Sequence, residues 1–190
     1  MNRIVILASG SGSNAENIIN YFKKSPQIKV VCVLTNKRLA AVIDRCNRLK
    51  VPAFYFNKTA FLNSDMVLSF LKSQNPSLIV LAGFLWKIPK NLIVAFPNKI
   101  VNIHPALLPK YGGKGMYGNH VHETVKANKE TETGITIHFV NENYDEGAVI
   151  HQASTKVSQS DTAEDIATKV HALEYEHFPK VIEKLLNNNG

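Results

Sequence analysis

Along the first hundred residues, short apolar runs alternate with segments whose apolar residues recur at helical spacing. Ile4–Ala8, Val30–Leu34, Leu78–Leu81 and Ile100–Ile103 are almost wholly apolar, as strands buried on both faces must be. Between them, Ala15, Ile18, Ile19 and Phe22 fit one helix face, as do Val42, Ile43, Cys46 and Leu49, and then Val67, Phe70 and Leu71. Ala53–Phe56 reads as a shorter strand. Such alternation consists of βαβ units and predicts an α/β fold: a mostly parallel twisted sheet with helices on both faces. The second half differs. Ile135, Ile137 and Phe139 alternate with Thr136, His138 and Val140, which predicts a half-buried strand. Ala148–Lys156 reads as its antiparallel partner across the loop Asn141–Gly147. A final helix is expected from Thr162 to Leu186, capped by Asp161. Its inward stripe would be Ala163, Ile166, Val170, Phe178, Val181 and Leu185, with a bend at Pro179 and a frayed tail at 187–190.

A length of 190 residues suits a single domain with a sizeable core, and neither repeats nor linkers interrupt it. No apolar run approaches the ~20 residues that span a bilayer. The first apolar run passes straight into a Gly/Ser-rich turn, so it reads as a strand and not as a signal peptide, with the cytoplasm as the expected location. The net charge of +7 comes from scattered Lys and Arg with no basic block of five or more. It therefore describes a solvated surface that attracts small anions, with neither nucleic acid nor a membrane as expected partner. Cys32 and Cys46 lie in apolar surroundings and are expected to be reduced core residues.

Ligands of open parallel sheets bind beyond the carboxyl ends of the strands. Ser9-Gly10-Ser11-Gly12-Ser13-Asn14 occupies such a place, between the first strand and the first helix. Glycines let backbone N–H groups approach a ligand, and the helix N-terminus adds partial positive charge. Ser13 and Asn14 can contribute side-chain donors or cap the helix. A plain turn is one reading of this loop. Another is a dinucleotide fingerprint, since Gly10, Gly12 and Ala15 approximate G-x-G-x-x-A. A monophosphate cradle is the third, and the later segments favour it. No G-K-[ST] follows, which excludes a Walker loop.

Val101-Asn102-Ile103-His104-Pro105 ends a buried strand. Residues two apart on a strand share a face, so Asn102 and His104 can reach one centre. Asn is a neutral donor able to hold a developing oxyanion, and His exchanges protons near neutrality. Further on, Asn141-Glu142-Asn143-Tyr144-Asp145-Glu146-Gly147 supplies a turn-rich loop with a carboxylate that can orient a His and favour its charged form. Read alone, the Asn-x-His pair can be structural and the acidic loop a solvated turn.

Together, Asn102–Pro109 (N-x-H-P-A-L-L-P) and the later Asp145 resemble the folate-dependent formyltransferases, and the likeness runs through nearly all of the chain. Within that family, the SGSGSN loop and the short chain resemble the glycinamide ribonucleotide branch. The resemblance implies a formyltransferase fold with a Rossmann-like N-terminal half. Residues 1–190 would form one domain, 1–100 being the phosphate-binding half and 101–190 the catalytic and folate-binding half. It implies transfer of a formyl group from 10-formyltetrahydrofolate, the co-substrate, to the amine of phosphoribosylglycinamide in purine biosynthesis, without a metal. Asn102, His104 and Asp145 would be the catalytic trio. Gly12, Ser13, Asn14 and Glu174 would hold the ribonucleotide. Leu85, Trp86, Lys87 and Ile88, with Asn141, Glu142, Asn143 and Tyr144, would form the folate pocket, with Lys58 on the folate tail. Glu174 also falls on the inward face of the last helix, where a carboxylate needs a partner. The partners expected are these small molecules, for a monomer or weak homodimer.

Three positions depart from the family pattern: Trp86 stands where a basic residue is expected, residues 57–65 contain no Arg, and the loop Gly112–Asn119 is longer than usual. Rival readings are a methionyl-tRNA formyltransferase, a formyltetrahydrofolate hydrolase and a non-catalytic nucleotide-binding module. His120 and His122 form an H-x-H pair that superficially resembles a metal site, but the spacing fits no zinc pattern.

Overall fold

A computed structural model of the chain describes residues 1–188. Seven strands form, β1 (Asn2–Ala8), β2 (Ile28–Thr35), β3 (Ala53–Tyr55), β4 (Leu78–Leu81), β5 (Ile100–His104), β6 (Glu132–Phe139) and β7 (Val149–Lys156). The helices are α1 (Ser13–Phe22), α2 (Val42–Leu49), α3 (Lys58–Leu62), α4 (Met66–Gln74), α5 (Lys90–Ala95), α6 (Asn119–Ala127) and α7 (Ala163–Asn188). The strands make one sheet in the order β3-β2-β1-β4-β5-β6-β7, parallel through β5, with β6 and β7 antiparallel. Among the described residues no helix is long and apolar enough to cross a membrane.

Burial follows the strand period. Ile4, Ile6 and Ala8 of β1 pack with residues of α1, α2, α6 and α7. Val5 and Leu7, pointing the other way, pack with residues of α3, α4 and α5. Cys32 and Cys46 are buried and free, and burial pushes both thiols up to about 11, which leaves them unreactive.

The strand order places the site. From β1 the chain first winds outward to β2 and β3, then returns to add β4 on the other side of β1. The loops after β1 and β4 therefore diverge and leave a crevice between them. Ser9 ties its rims: its N–H donates to Gly83 O at 3.0 Å, and its Oγ accepts from Leu85 N at 2.9 Å.

Three expectations change. First, β6 is buried on both faces from Thr133 to His138, not half-buried. Its polar side is covered by loops: Thr136 Oγ1 donates to Ala106 O at 2.7 Å and accepts from Leu108 N at 2.9 Å. Second, α7 is capped by Thr162 and not by Asp161. Thr162 Oγ1 accepts from Asp165 N at 3.1 Å, and Asp165 Oδ2 accepts from Thr162 N at 2.9 Å. Asp161 instead accepts from Ser158 N and Lys169 Nζ. Third, the buried stripe of α7 is Ile166, Val170, Glu174, Phe178, Ile182 and Leu186, while Val181 and Leu185 are only partly buried. Steps of four rotate the buried line by about 40° each, so the helix turns its contact face as it passes over β6, β7, α6 and α1. Of the tail expected to fray, residues 189–190 lie outside the described residues.

α7 continues through Pro179. Proline has no N–H, so the carbonyl four residues back, on Tyr175, loses its helical partner. Asn17 of α1 replaces it, donating from Nδ2 to Tyr175 O at 2.9 Å. Asn17→Ala is expected to lower the unfolding free energy by about 1 kcal/mol, read by urea denaturation. An unchanged midpoint would mean that water serves that carbonyl equally well.

Candidate active site

The crevice opens into a cleft of about 560 Å³ above the carboxyl ends of β1, β4 and β5. Three groups of side chains meet in it: the Gly10–Asn14 turn, the end of β5 with Asp145, and residues of α6 and α7.

The turn owes its shape to packing. Gly12 is the N-cap of α1 with φ of 75°, a conformation that favours glycine. A Cβ there would also stand 2.3 Å from Val42 Cγ2. Arg45 Nε donates to Ser11 O at 2.8 Å, holding the loop from α2. Neither Ser13 nor Asn14 caps the helix through its side chain. Asn14 Nδ2 instead donates to Glu174 Oε2 at 2.8 Å, across to α7. Glu174 is buried, and that burial raises its pKa above the usual carboxylate value, opposed by Asn14 and by the nearby His171. The partner that a carboxylate on this face needs is thus Asn14.

At the end of β5, Asn102 lies opposite His138 and His104 opposite Thr136 in the antiparallel register with β6. All four side chains share one face. Asn102 Nδ2 and His138 Nε2 are 3.1 Å apart, and His138 Nδ1 is 2.9 Å from Phe139 O. A carbonyl only accepts, so His138 carries its proton on Nδ1 and takes a hydrogen from the Asn102 amide on Nε2. That orients the amide and leaves its second N–H for the cleft. His104 is fixed the same way. Its Nε2 donates to Tyr111 O at 2.7 Å, which leaves Nδ1 to gain a proton, 3.6 Å from Asp145 Oδ2.

Asp145 reaches this point from the loop after β6. It has φ of 55° and is 12% exposed, with Oδ2 accepting from Gly113 N at 2.9 Å and Oδ1 lying 3.7 Å from His138 Nε2. Gly147 closes the loop against β6, since a Cβ there would overlap Phe139 O at 1.6 Å. Burial resists the Asp145 charge, but His138, His104 and the Gly113 N–H outweigh it and lower its pKa. For His104 the balance goes the other way. Burial lowers its pKa below the ordinary histidine value despite the pull of Asp145. Asp145 thus favours the charged form of His104, as expected, but burial opposes it more strongly, and Nδ1 is the ring nitrogen left to accept a proton.

Gly12, Ser13, Asn14, Leu85, Asn102, His104, Tyr144, Asp145 and Glu174 all line this one cleft. So do Gly10, His122 and residues 113–119 of the loop before α6, whereas the remaining folate positions do not. Lys87, Ile88 and Glu142 line a separate cavity of about 360 Å³ with Leu62 and Lys90. Trp86 packs among Phe56, Phe61 and Phe84, so an aromatic cluster takes the place expected for a basic side chain. Lys58 is exposed at the start of α3. Asn141 accepts from Asn143 N, and Asn143 donates to Glu146, so both shape their own loop. His120 and His122 lie about 200° apart around α6, one exposed and one buried. Sequence reasoning missed His138, the Tyr111 carbonyl and the His122–His171 pair. His138 left a trace as a polar residue two positions from Thr136 on a strand, and His122 as half of the H-x-H pair.

Residues 2–182 match the family described as formyl transferase. Phosphoribosylglycinamide formyltransferase of Bacillus subtilis is 35% identical, over 100% of this chain and 98% of its own length. The crystal structure of glycinamide ribonucleotide transformylase 1 from Symbiobacterium toebii superposes with a TM-score of 0.90 at 29% identity, over 99% of this chain and 89% of that one. Phosphoribosylglycinamide formyltransferase from Bacillus halodurans does so with a TM-score of 0.88 at 33% identity, over 100% and 97%. The chain belongs to the formyl transferase family.

Proposed function

We propose that the chain transfers the formyl group of 10-formyltetrahydrofolate to the amine of phosphoribosylglycinamide, a step of purine biosynthesis. One observation carries this reading: an oriented amide, a proton-accepting imidazole and a carboxylate converge in the same cleft as a Gly/Ser helix-start loop. The Bacillus subtilis relative named for this activity is matched over 98% of its own length, which supports it further. The whole chain acts as one domain. Residues 1–100 contribute the phosphate-binding loop, and residues 101–190 carry the chemistry and most of the pterin contacts.

In this reading the ribonucleotide phosphate rests on the backbone of Gly12–Asn14, and Glu174 faces the glycinamide end. The pterin lies along Leu85 and the 141–145 loop, where Phe84 and Leu85 offer an apolar wall. Lys87, Ile88 and Glu142, around the smaller cavity, lie where the folate tail would leave, with Lys58 beyond. The neutral amine attacks the formyl carbon, and the carbonyl electron pair moves to oxygen. The free N–H of Asn102 stabilises that oxyanion. His104 Nδ1 accepts the proton of the attacking nitrogen, its new charge balanced by Asp145; the oxyanion pair then re-forms the carbonyl as the bond from carbon to the folate nitrogen breaks, and His104 returns the proton to that nitrogen. Holding both substrates in one cleft supplies the entropic part of the acceleration.

The purified chain is expected to formylate phosphoribosylglycinamide and to leave methionyl-tRNA unformylated, with only slow hydrolysis of the folate in the absence of acceptor. Formylation of the tRNA, or hydrolysis indifferent to the acceptor, would favour the corresponding relative. No turnover at all would leave a binding module.

A further inference from the structure

Tyr111 holds a backbone conformation that its own side chain disfavours. Its φ of 58° lies in the left-handed region, which a residue with a Cβ keeps only where surrounding contacts over-determine it. That conformation lets one short turn make two contacts. Tyr111 O receives His104 Nε2 at 2.7 Å, and two residues on Gly113 N donates to Asp145 Oδ2 at 2.9 Å. Gly112, between them, is closed in: a Cβ there would stand 2.5 Å from Leu108 Cδ2 and 3.3 Å from Asp145 Cβ. The turn is therefore a pedestal for both members of the His104–Asp145 pair. Its outer end is fastened by the Tyr111 phenol. Tyr111 Oη donates to Glu130 Oε1 at 2.8 Å and accepts from Asn128 Nδ2 at 3.0 Å. Lys110 Nζ donates to the same Glu130 oxygen at 3.2 Å. Asn128 and Glu130 stand at the stop of α6. There Lys129 has φ of 54°, its N–H donates to Lys126 O, and Glu130 N donates to Val125 O. These are the paired bonds that close a helix through a left-handed residue.

We propose that Tyr111 is a positioning residue: its phenol, held by Glu130 and Asn128, keeps the Tyr111 carbonyl on His104 Nε2 and so holds the imidazole in the tautomer whose Nδ1 can take a proton. The inference rests on the reading of His104 as the proton acceptor. Asp145 gives the anchor its purpose. A neutral imidazole carries one ring hydrogen, and two acceptors compete for it here. Tyr111 O lies beside Nε2, and Asp145 Oδ2 lies 3.6 Å from Nδ1. A carboxylate is the stronger acceptor at equal distance. With the hydrogen on Nδ1, the ring would donate to Asp145 and present no lone pair there to the attacking amine. The carbonyl prevails by proximity, 2.7 Å against 3.6 Å, and the anchored turn sets that difference. Glycine would adopt the Tyr111 backbone conformation without strain. What the tyrosine adds is the reach of its side chain from the catalytic pair to the end of α6.

Tyr111→Phe keeps the ring and removes both phenol hydrogen bonds. Nitrogen NMR shifts of the His104 ring read the tautomer on the chain without substrate. In the wild type the hydrogen should sit on Nε2, and in Tyr111→Phe part of it should move to Nδ1. The turnover number should fall about tenfold, a partial loss of alignment, with KM for both substrates changed by no more than about twofold because the binding contacts remain. Asn128→Ala combined with Glu130→Ala leaves Tyr111 in place and removes its anchors. It should shift the tautomer in the same direction, and it serves as the test should Tyr111→Phe not fold. Circular dichroism checks the fold of each variant. A His104 ring that keeps its hydrogen on Nε2 alone in the folded variants would overturn the inference. So would a loss from Tyr111→Phe that is undiminished in a His104→Ala background, because the phenol would then act on something other than His104. A shifted tautomer with wild-type turnover would uphold the positioning and remove His104 from the proton transfer, which separates this inference from the reading on which it rests.

Discussion

Replacing His104 with Ala is expected to lower turnover by about 10²–10⁴-fold, the usual contribution of a positioned acid–base group. The magnitude follows from how completely the ring is constrained. Its Nε2–H is committed to Tyr111 O, so Nδ1 is the atom left to carry the proton of the attacking amine. Among the described residues no other side chain near Asp145 can substitute: His138 Nε2 is occupied by the Asn102 amide. Asp145→Asn should act through the same atom. Removing the carboxylate removes the largest influence that raises the His104 pKa, so burial should move it lower still. NMR titration of the His104 ring should show that downward move. The acid limb of the kcat/KM profile should follow it to lower pH, while the plateau falls. The two losses should not add: in a His104→Ala background, Asp145→Asn should cost far less than alone, as for groups acting as a unit. A double-mutant cycle on turnover reads this directly. Independent losses would place Asp145 in another role, such as shaping the pterin wall. Near-normal turnover in a folded His104→Ala variant would remove the ring from the reaction.

Asn102→Ala should cost about 10²–10³-fold in turnover with little change in KM, as for loss of one oxyanion donor. A donor that strengthens only as charge develops affects kcat and leaves the ground state alone. Asn102→Asp is the sharper variant. It keeps the shape, replaces the N–H with a carboxylate oxygen and puts negative charge where the oxyanion forms, so it should be at least as inactive. His138→Phe should be milder but in the same direction, because it leaves the Asn102 amide free to turn away without removing it. Circular dichroism and thermal melting of each variant separate lost chemistry from lost fold. A large rise in KM with kcat preserved in Asn102→Ala would mean that the amide binds substrate without stabilising the oxyanion.

What the sequence determined by itself was periodic or contiguous. Two-faced apolar runs such as Ile4–Ala8 have one stable place, the middle of a parallel sheet, so the α/β class was legible before any contact was known. Asn102 and His104 shared a face because the strand period is two. The Gly/Ser turn stood at a helix start because it separated a strand pattern from a helix pattern. Tertiary structure decided whatever depended on register, or on one element lying across another. His138 orients Asn102 only because β6 pairs antiparallel with β5 in a register that sets them opposite, and a shift of one residue would turn it to the other face. Asn17 meets the Tyr175 carbonyl, and Asn14 meets Glu174, because α7 crosses α1 at that point. The buried stripe of α7 followed steps of four because the surface beneath the helix changes along its length. The protonation of His104 was decided here too. A carboxylate nearby and burial in the protein push its pKa in opposite directions, and only the packed structure fixes how far water is excluded and therefore which prevails.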